Sequence, residues 1–258
     1  MGSISYQIPV TALGLVSLRI AGLAISAPML NHHAIPRRIR GAFVIVLSFF
    51  FINNLKTVPV IDSPVILALA CTSEFIIGFA MGTVINMIVA AVSSAGQLMA
   101  MEMGFAFASM ADPSTGEQST VIQTFFSMFL VLVFVLLDGH LQLIKLVALS
   151  YEKAPIASAF SSPSAWKTIA GMGSILFETA FRLALPVTGA ILLTQVAIAL
   201  AAKMAPRLNV FILGFAIMIL IGLVMLPAIL PSVTSLFKIM MDRAFETAIN
   251  LEVFRYAP

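Results

Sequence analysis

Charge is what this sequence has least of. Only 10% of its 258 residues are Asp, Glu, Lys or Arg, while 60% are hydrophobic, and mean hydropathy is +1.08. A soluble domain is about 25% charged, because it must cover its surface whatever its core contains. The shortage excludes an ordinary soluble domain and places the chain in an apolar setting, either lipid or a protein-lined one. Cysteine is reduced to Cys71. It can form no intramolecular disulfide, has no metal-ligand spacing, and reads as a small buried hydrophobe. Histidine is limited to His32, His33 and His140, the first two in a turn beside an arginine cluster. There is no Gly-rich phosphate loop, no GK[ST], and no pair of carboxylates at a useful spacing. These absences argue against hydrolysis, group transfer and an ATP-driven pump, so the chain is expected to be no enzyme and to hold no metal or cofactor. A net charge of +3 comes from scattered basic residues and offers nucleic acid no patch. No Lys or Arg precedes Arg19, which is a poor match to a secretory leader, so the N-terminus is expected to be retained.

What the chain does have is apolar runs, at 10–30, 41–52, 64–92, 121–137, 168–202 and 210–230. Alternation with period two is absent, so the fold class is all-α, since only helices or closed barrels satisfy backbone groups in lipid. A bilayer core about 30 Å thick takes roughly 20 apolar residues per helix. The run at 41–52 is too short for that ruler, and those at 64–92 and 168–202 are too long. Half-length hairpins and bent helices fit the lengths better than straight spans, with helices buried against other subunits as well as lipid. Arg37, Arg38 and Arg40 follow the first run, whereas Pro227 and Pro231 end the last. The segment beyond them reads as a mildly amphipathic helix. Loop lysines and arginines do not sort into one orientation.

Ionisable residues inside apolar runs are costly and therefore informative. Arg19 and Glu74 stand alone in separate runs and call for a partner, either each other or another chain. Glu178 and Arg182 share a helix face in the favourable acid-first order. They suit a self-neutralised pair at a subunit interface, or a proton or substrate path. The segment "AGQLMAMEMGFAFASMADPSTGEQST", 95–120, is too polar for a span and too apolar for a loop. Met99, Met101, Met103 and Met110 flank Phe105 and Phe107, with Gly104 between and an Asp112-Pro113 turn after them. Methionine seals irregular surfaces without imposing one shape. The segment reads either as a hairpin tip packed in a core or as a deformable plug.

Four stretches resemble the FliR family of flagellar export-gate proteins, called SctT in virulence systems. They are "LRIAGLAISAPML" with "IPRRIR"; "EMGFAFASMADPSTG"; "DGHLQLI", with Asp138 at the family's usual Asn; and "ALPVTGAILLTQVAIALAAKMAPRLNVFILGF". They occur in the family's order over 15–230. The resemblance implies a FliP-like part to about residue 165 joined to a FliQ-like part from about 166, built of bent helical hairpins. It implies a non-enzymatic subunit that joins FliP and FliQ homologues in the bacterial inner membrane at the flagellar basal body, with FlhB and FlhA homologues nearby. Exported unfolded rod, hook and filament proteins would be its substrates. It further implies that Gly104, Phe105, Phe107, Met110, Asp112 and Pro113 help close the channel, with Met99, Met101 and Met103 contributing. Arg19, Glu74, Glu178 and Arg182 would then be buried charges at subunit interfaces. The virulence injectisome subunit is the nearest alternative. A secondary transporter is a more distant one, and it would require inverted repeats that the sequence does not display.

Overall fold

A computed structural model describes residues 10–28, 30, 35–54, 63–105, 121–156, 163–204 and 210–250. Among these residues every regular element is α-helical. The elements are α1 (Val10–Ser26), α2 (Arg37–Asn54), α3 (Pro64–Glu102), α4 (Val121–Leu136), α5 (Gly139–Lys153), α6 (Pro163–Met204) and α7 (Val210–Asn250). The all-α membrane class follows directly. Segments of α3, α6 and α7 are long and apolar enough to cross a membrane, and α4 with α5 forms a further candidate span bent by 65°. At 1.5 Å per residue, α3 is roughly 60 Å long, about twice the thickness of a bilayer core.

Two boundaries differ from the sequence reading. Helix α3 continues past residue 92 to Glu102, because the small residues after Val92 keep helical backbone and pack tightly. Helix α7 does not end at its prolines but runs through Pro227 and Pro231 to Asn250. Proline removes one backbone donor and crowds the preceding turn. In apolar surroundings the remaining bonds still make helix the best option, since unpaired backbone is costlier there than in water. Pro186 is likewise internal to α6.

The bend between α4 and α5 has a local cause. Asp138 adopts φ 55°, ψ 29°, the left-handed region, which Asn and Asp tolerate better than most residues. Its carbonyl still accepts bonds from the Leu141 and Gln142 amides at 2.9 and 3.1 Å, so the next helix starts at once.

The chain divides into two compact units. The first holds residues 1–87, 138–172 and 241–258, and the second 88–137 and 173–240. In the first, α1 packs on α2 and lies against the first half of α3. That approach to α3 rests on glycine. A Cβ on Gly22 would meet the Phe79 amide nitrogen at 2.8 Å, and one on Gly82 would meet the Leu23 carbonyl oxygen at 2.9 Å. A Cβ on Gly78 would run into the Arg19 carbonyl itself. Where surroundings are apolar, helix association depends on such close packing rather than on expulsion of water. In the second unit, Phe126 of α4 is fully buried and its ring would be 2.8 Å from a Cβ on Gly96 of α3. Ser93 and Ser127 hydroxyls meet nearby at 3.2 Å.

Candidate functional sites

Three groups of residues singled out in the sequence have definable geometry. The first is a polar cluster inside the first unit. Arg19 of α1 and Glu74 of α3 both have side chains with 0% exposure, and they form a forked pair, Nε to Oε2 at 2.6 Å and Nη2 to Oε1 at 3.0 Å. The end of α5 supplies the rest. Nη1 donates to the Ser150 hydroxyl and the Ala154 carbonyl, and Nη2 donates to the same carbonyl, all at 3.1 Å. Each of the five guanidinium N–H donors thus has an acceptor. The Tyr151 ring lies 4.2 Å from the guanidinium carbon, within cation–π range, and its hydroxyl donates to the Val16 carbonyl at 3.3 Å. Of the two partners considered for Arg19, the structure supplies Glu74 of the same chain. The expectation of a pair at a subunit interface is corrected to a pair in the chain's own interior. A guanidinium with every donor engaged has none left for a ligand, so its chemistry here is to tie three helices together.

Nothing in the pattern of residues singles out Ser150, Tyr151 or Ala154. The Ala154 contact is a backbone carbonyl and leaves no trace in residue type. The glycines were readable: Gly78 and Gly82 are one helical turn apart, the small-residue spacing of close helix contacts.

The second group is the methionine segment. Met99 and Met101 belong to α3 and not to a loop. Met99 and Met103 are completely buried, while Met101 is 53% exposed, as expected when 99 and 103 share a helix face and 101 lies away from it. The helix closes with the Met103 amide on the Met99 carbonyl (2.9 Å) and the Gly104 amide on the Met101 carbonyl (3.0 Å). Gly104 has φ +90°, which side chains rarely adopt, and a Cβ there would sit 2.5 Å from the Phe215 ring of α7. Met103 packs against Gly222 of the same helix. Phe105 is half-buried. Phe107, Met110, Asp112 and Pro113 lie outside the described residues. The methionines therefore split into two that pack within the chain and one that faces outward.

The third group is Glu178 and Arg182 of α6, joined at 2.6 Å as an i,i+4 pair. They were expected to be buried. In this chain alone their side chains are 58% and 69% exposed, because α6 presents this stripe outward. Phe177, Phe181 and Leu185 beside them are also exposed. Any burial of the pair has to come from another molecule. Among the described residues there is no grouping of side chains suited to hold a metal.

The chain is 28% identical to the flagellar biosynthetic protein FliR of Escherichia coli (strain K12) over 91% of its own length and 90% of that protein's. It is 29% identical to the protein of the same name from Pectobacterium carotovorum subsp. carotovorum, at 91% and 90% coverage. Against that of Bacillus subtilis (strain 168) it is 26% identical, at 92% and 93%. Residues 10–244 match the family described as bacterial export proteins, family 1, and the chain belongs to that family.

Proposed function

We propose that this protein is a channel-forming subunit of the flagellar type III export gate, through which unfolded rod, hook and filament subunits leave the cell. The end-to-end likeness to proteins named for flagellar biosynthesis carries the reading. Its natural site is the bacterial inner membrane at the flagellar basal body. There it would assemble with FliP and FliQ homologues, with FlhB and FlhA homologues adjacent. The part up to about residue 165 would play the FliP-like role and the remainder the FliQ-like one. The structure supports assembly through its surface. Helices α6 and α7 leave large apolar side chains uncovered along their length, including Leu193, Met204 and Val224. Such a surface needs lipid or other subunits to cover it.

Within this reading the segment from Met99 to Pro113 closes the channel. A soft apolar constriction can part around varied unfolded chains and then exclude ions by dewetting. Met103 and Gly104 anchor its base against α7 and Met99 is buried, while Met101 is the exposed member of the set. Deleting part of 106–116 is expected to raise ion leakage across the membrane while leaving the assembled complex intact. Normal assembly with unchanged leakage would remove the closing role from this segment.

A further inference from the structure

The apolar run at 41–52 is too short to cross a bilayer, and the helix that holds it has arginines at one end. The first turn of α2 carries Arg37, Arg38 and Arg40 and no acid. Arg37 and Arg38 are exposed, and among the described residues no carboxylate pairs with either. The run extends about 18 Å at 1.5 Å per residue, against roughly 15 Å for half of a bilayer core. The helix therefore has the dimensions of one leaflet, with its charge at headgroup level.

Two apolar tracks descend from those charges, since steps of three and four residues stay on one helix face. Arg38, Ala42, Ile45 and Phe49 form the first, and its Ile45 and Phe49 are exposed. Arg40, Phe43, Leu47 and Phe51 form the second, which turns toward α1 and α5. There Phe43 and Leu47 stand half-buried at the lip of a cleft of about 120 Å³. Its floor includes Ile20 and Leu23 of α1 and Val147 of α5, all buried. Phe51 lies beside Tyr151, with ring centroids 5.9 Å apart, so α2 and α5 run side by side in the same direction. That sets His140, an exposed polar residue on the cleft wall, at the same end as the arginines. Asp138 precedes it, one carboxylate against three guanidinium charges.

An apolar cavity of roughly 150 Å³ stays dry and takes up benzene, so this cleft has room for a stretch of acyl chain. A free phosphate would leave both apolar tracks uncovered, and a zwitterionic lipid would leave the arginines in excess. A phosphodiester with net negative charge matches the guanidinium fork, and two acyl chains match two tracks. We propose that the cleft and the adjoining face of α2 bind one anionic phospholipid. Arg37, Arg38 and Arg40 hold its phosphate, one acyl chain enters the cleft, and the other lies along Ile45 and Phe49. The proposal needs only the membrane setting, so it stands or falls separately from the export reading.

The test uses the full chain, purified in mild non-ionic detergent with whatever subunits it retains. Dioleoyl phosphatidylglycerol or dioleoyl phosphatidylcholine is titrated in, and bound lipid is counted by native mass spectrometry. One phosphatidylglycerol is expected to bind more tightly than phosphatidylcholine. Arg37→Gln and Arg38→Gln change exposed side chains and are expected to weaken it about five-fold each, roughly 25-fold together, with phosphatidylcholine unaffected. Leu47→Trp fills the cleft and is expected to weaken both lipids, its fold being checked by circular dichroism. Phosphatidylglycerol with a diazirine in one acyl chain is expected to label α1, α2 or α5 of the unchanged chain, which decides the matter even where Leu47→Trp does not fold. Excess inorganic phosphate is expected not to displace the lipid. Equal affinity for the two lipids, indifference to the double arginine variant, or unchanged binding by a folded Leu47→Trp protein would each overturn the site. So would label confined to other helices or full displacement by inorganic phosphate.

Discussion

Replacing Glu74 with glutamine keeps the shape of the side chain and removes its charge. Arg19 would then stay fully buried with its cation uncompensated and with an amide NH2 facing donors that had met an oxygen. Breaking a buried pair from one side costs about 3–5 kcal/mol, far more than the pair contributes relative to an apolar replacement. The companion variant, Arg19→Met with Glu74→Leu, removes both charges. It leaves the Ala154 carbonyl without two donated bonds and Ser150 without one, a cost of about 1–3 kcal/mol. The double variant is therefore expected to be more stable than Glu74→Gln alone. Loss of helical circular dichroism under denaturant, measured in mild detergent, gives the order. A Glu74→Gln protein within about 1 kcal/mol of wild type would show that the pair is solvated, and a double variant worse than the single one would show that charge pairing is not the source of the cost.

Gly78→Ala is expected to destabilise the first unit, because its Cβ would collide with the Arg19 backbone; Gly173→Ala, with open space around it, should be neutral or stabilising by up to about 1 kcal/mol, as thermal unfolding of the two proteins would reveal. Asp138→Asn should be tolerated at its φ of 55°, whereas Asp138→Val should cost about 1–3 kcal/mol in the same assay; equal melting of the two would deny any role to the left-handed backbone. Glu178→Ala should change the stability of the chain alone by only about 0.3–0.5 kcal/mol, as an exposed i,i+4 pair does, while lowering the yield of complex recovered with partner subunits. A large loss of stability without partners would place the pair inside the chain's own fold.

The helical class and the membrane setting were readable because they follow from composition and from the lack of period-two alternation, which no tertiary detail can reverse. The pairing of Arg19 with Glu74 was half readable. Isolated charges in apolar runs demand a partner, but nothing local says which one. Helix limits were read wrongly at Pro227 and Pro231, since the rule that proline ends helices describes water, and apolar surroundings penalise a broken helix more heavily. The same runs gave no sign that Met99 and Met103 would turn inward while Met101 turned outward. That split depends on where α3 ends, at a glycine whose left-handed backbone appears only in three dimensions. The 65° bend at Asp138 was written in a residue type that tolerates φ > 0, yet one aspartate among loops and helices does not announce a corner. The prolines of α6 and α7 could be counted from sequence.

Native mass spectrometry of the tagged chain, extracted in mild detergent from cells expressing its neighbouring export proteins, tests the central claim most directly. The account predicts a large complex holding this chain with several copies of smaller membrane proteins. A monomer or a simple homodimer under the same conditions would contradict it.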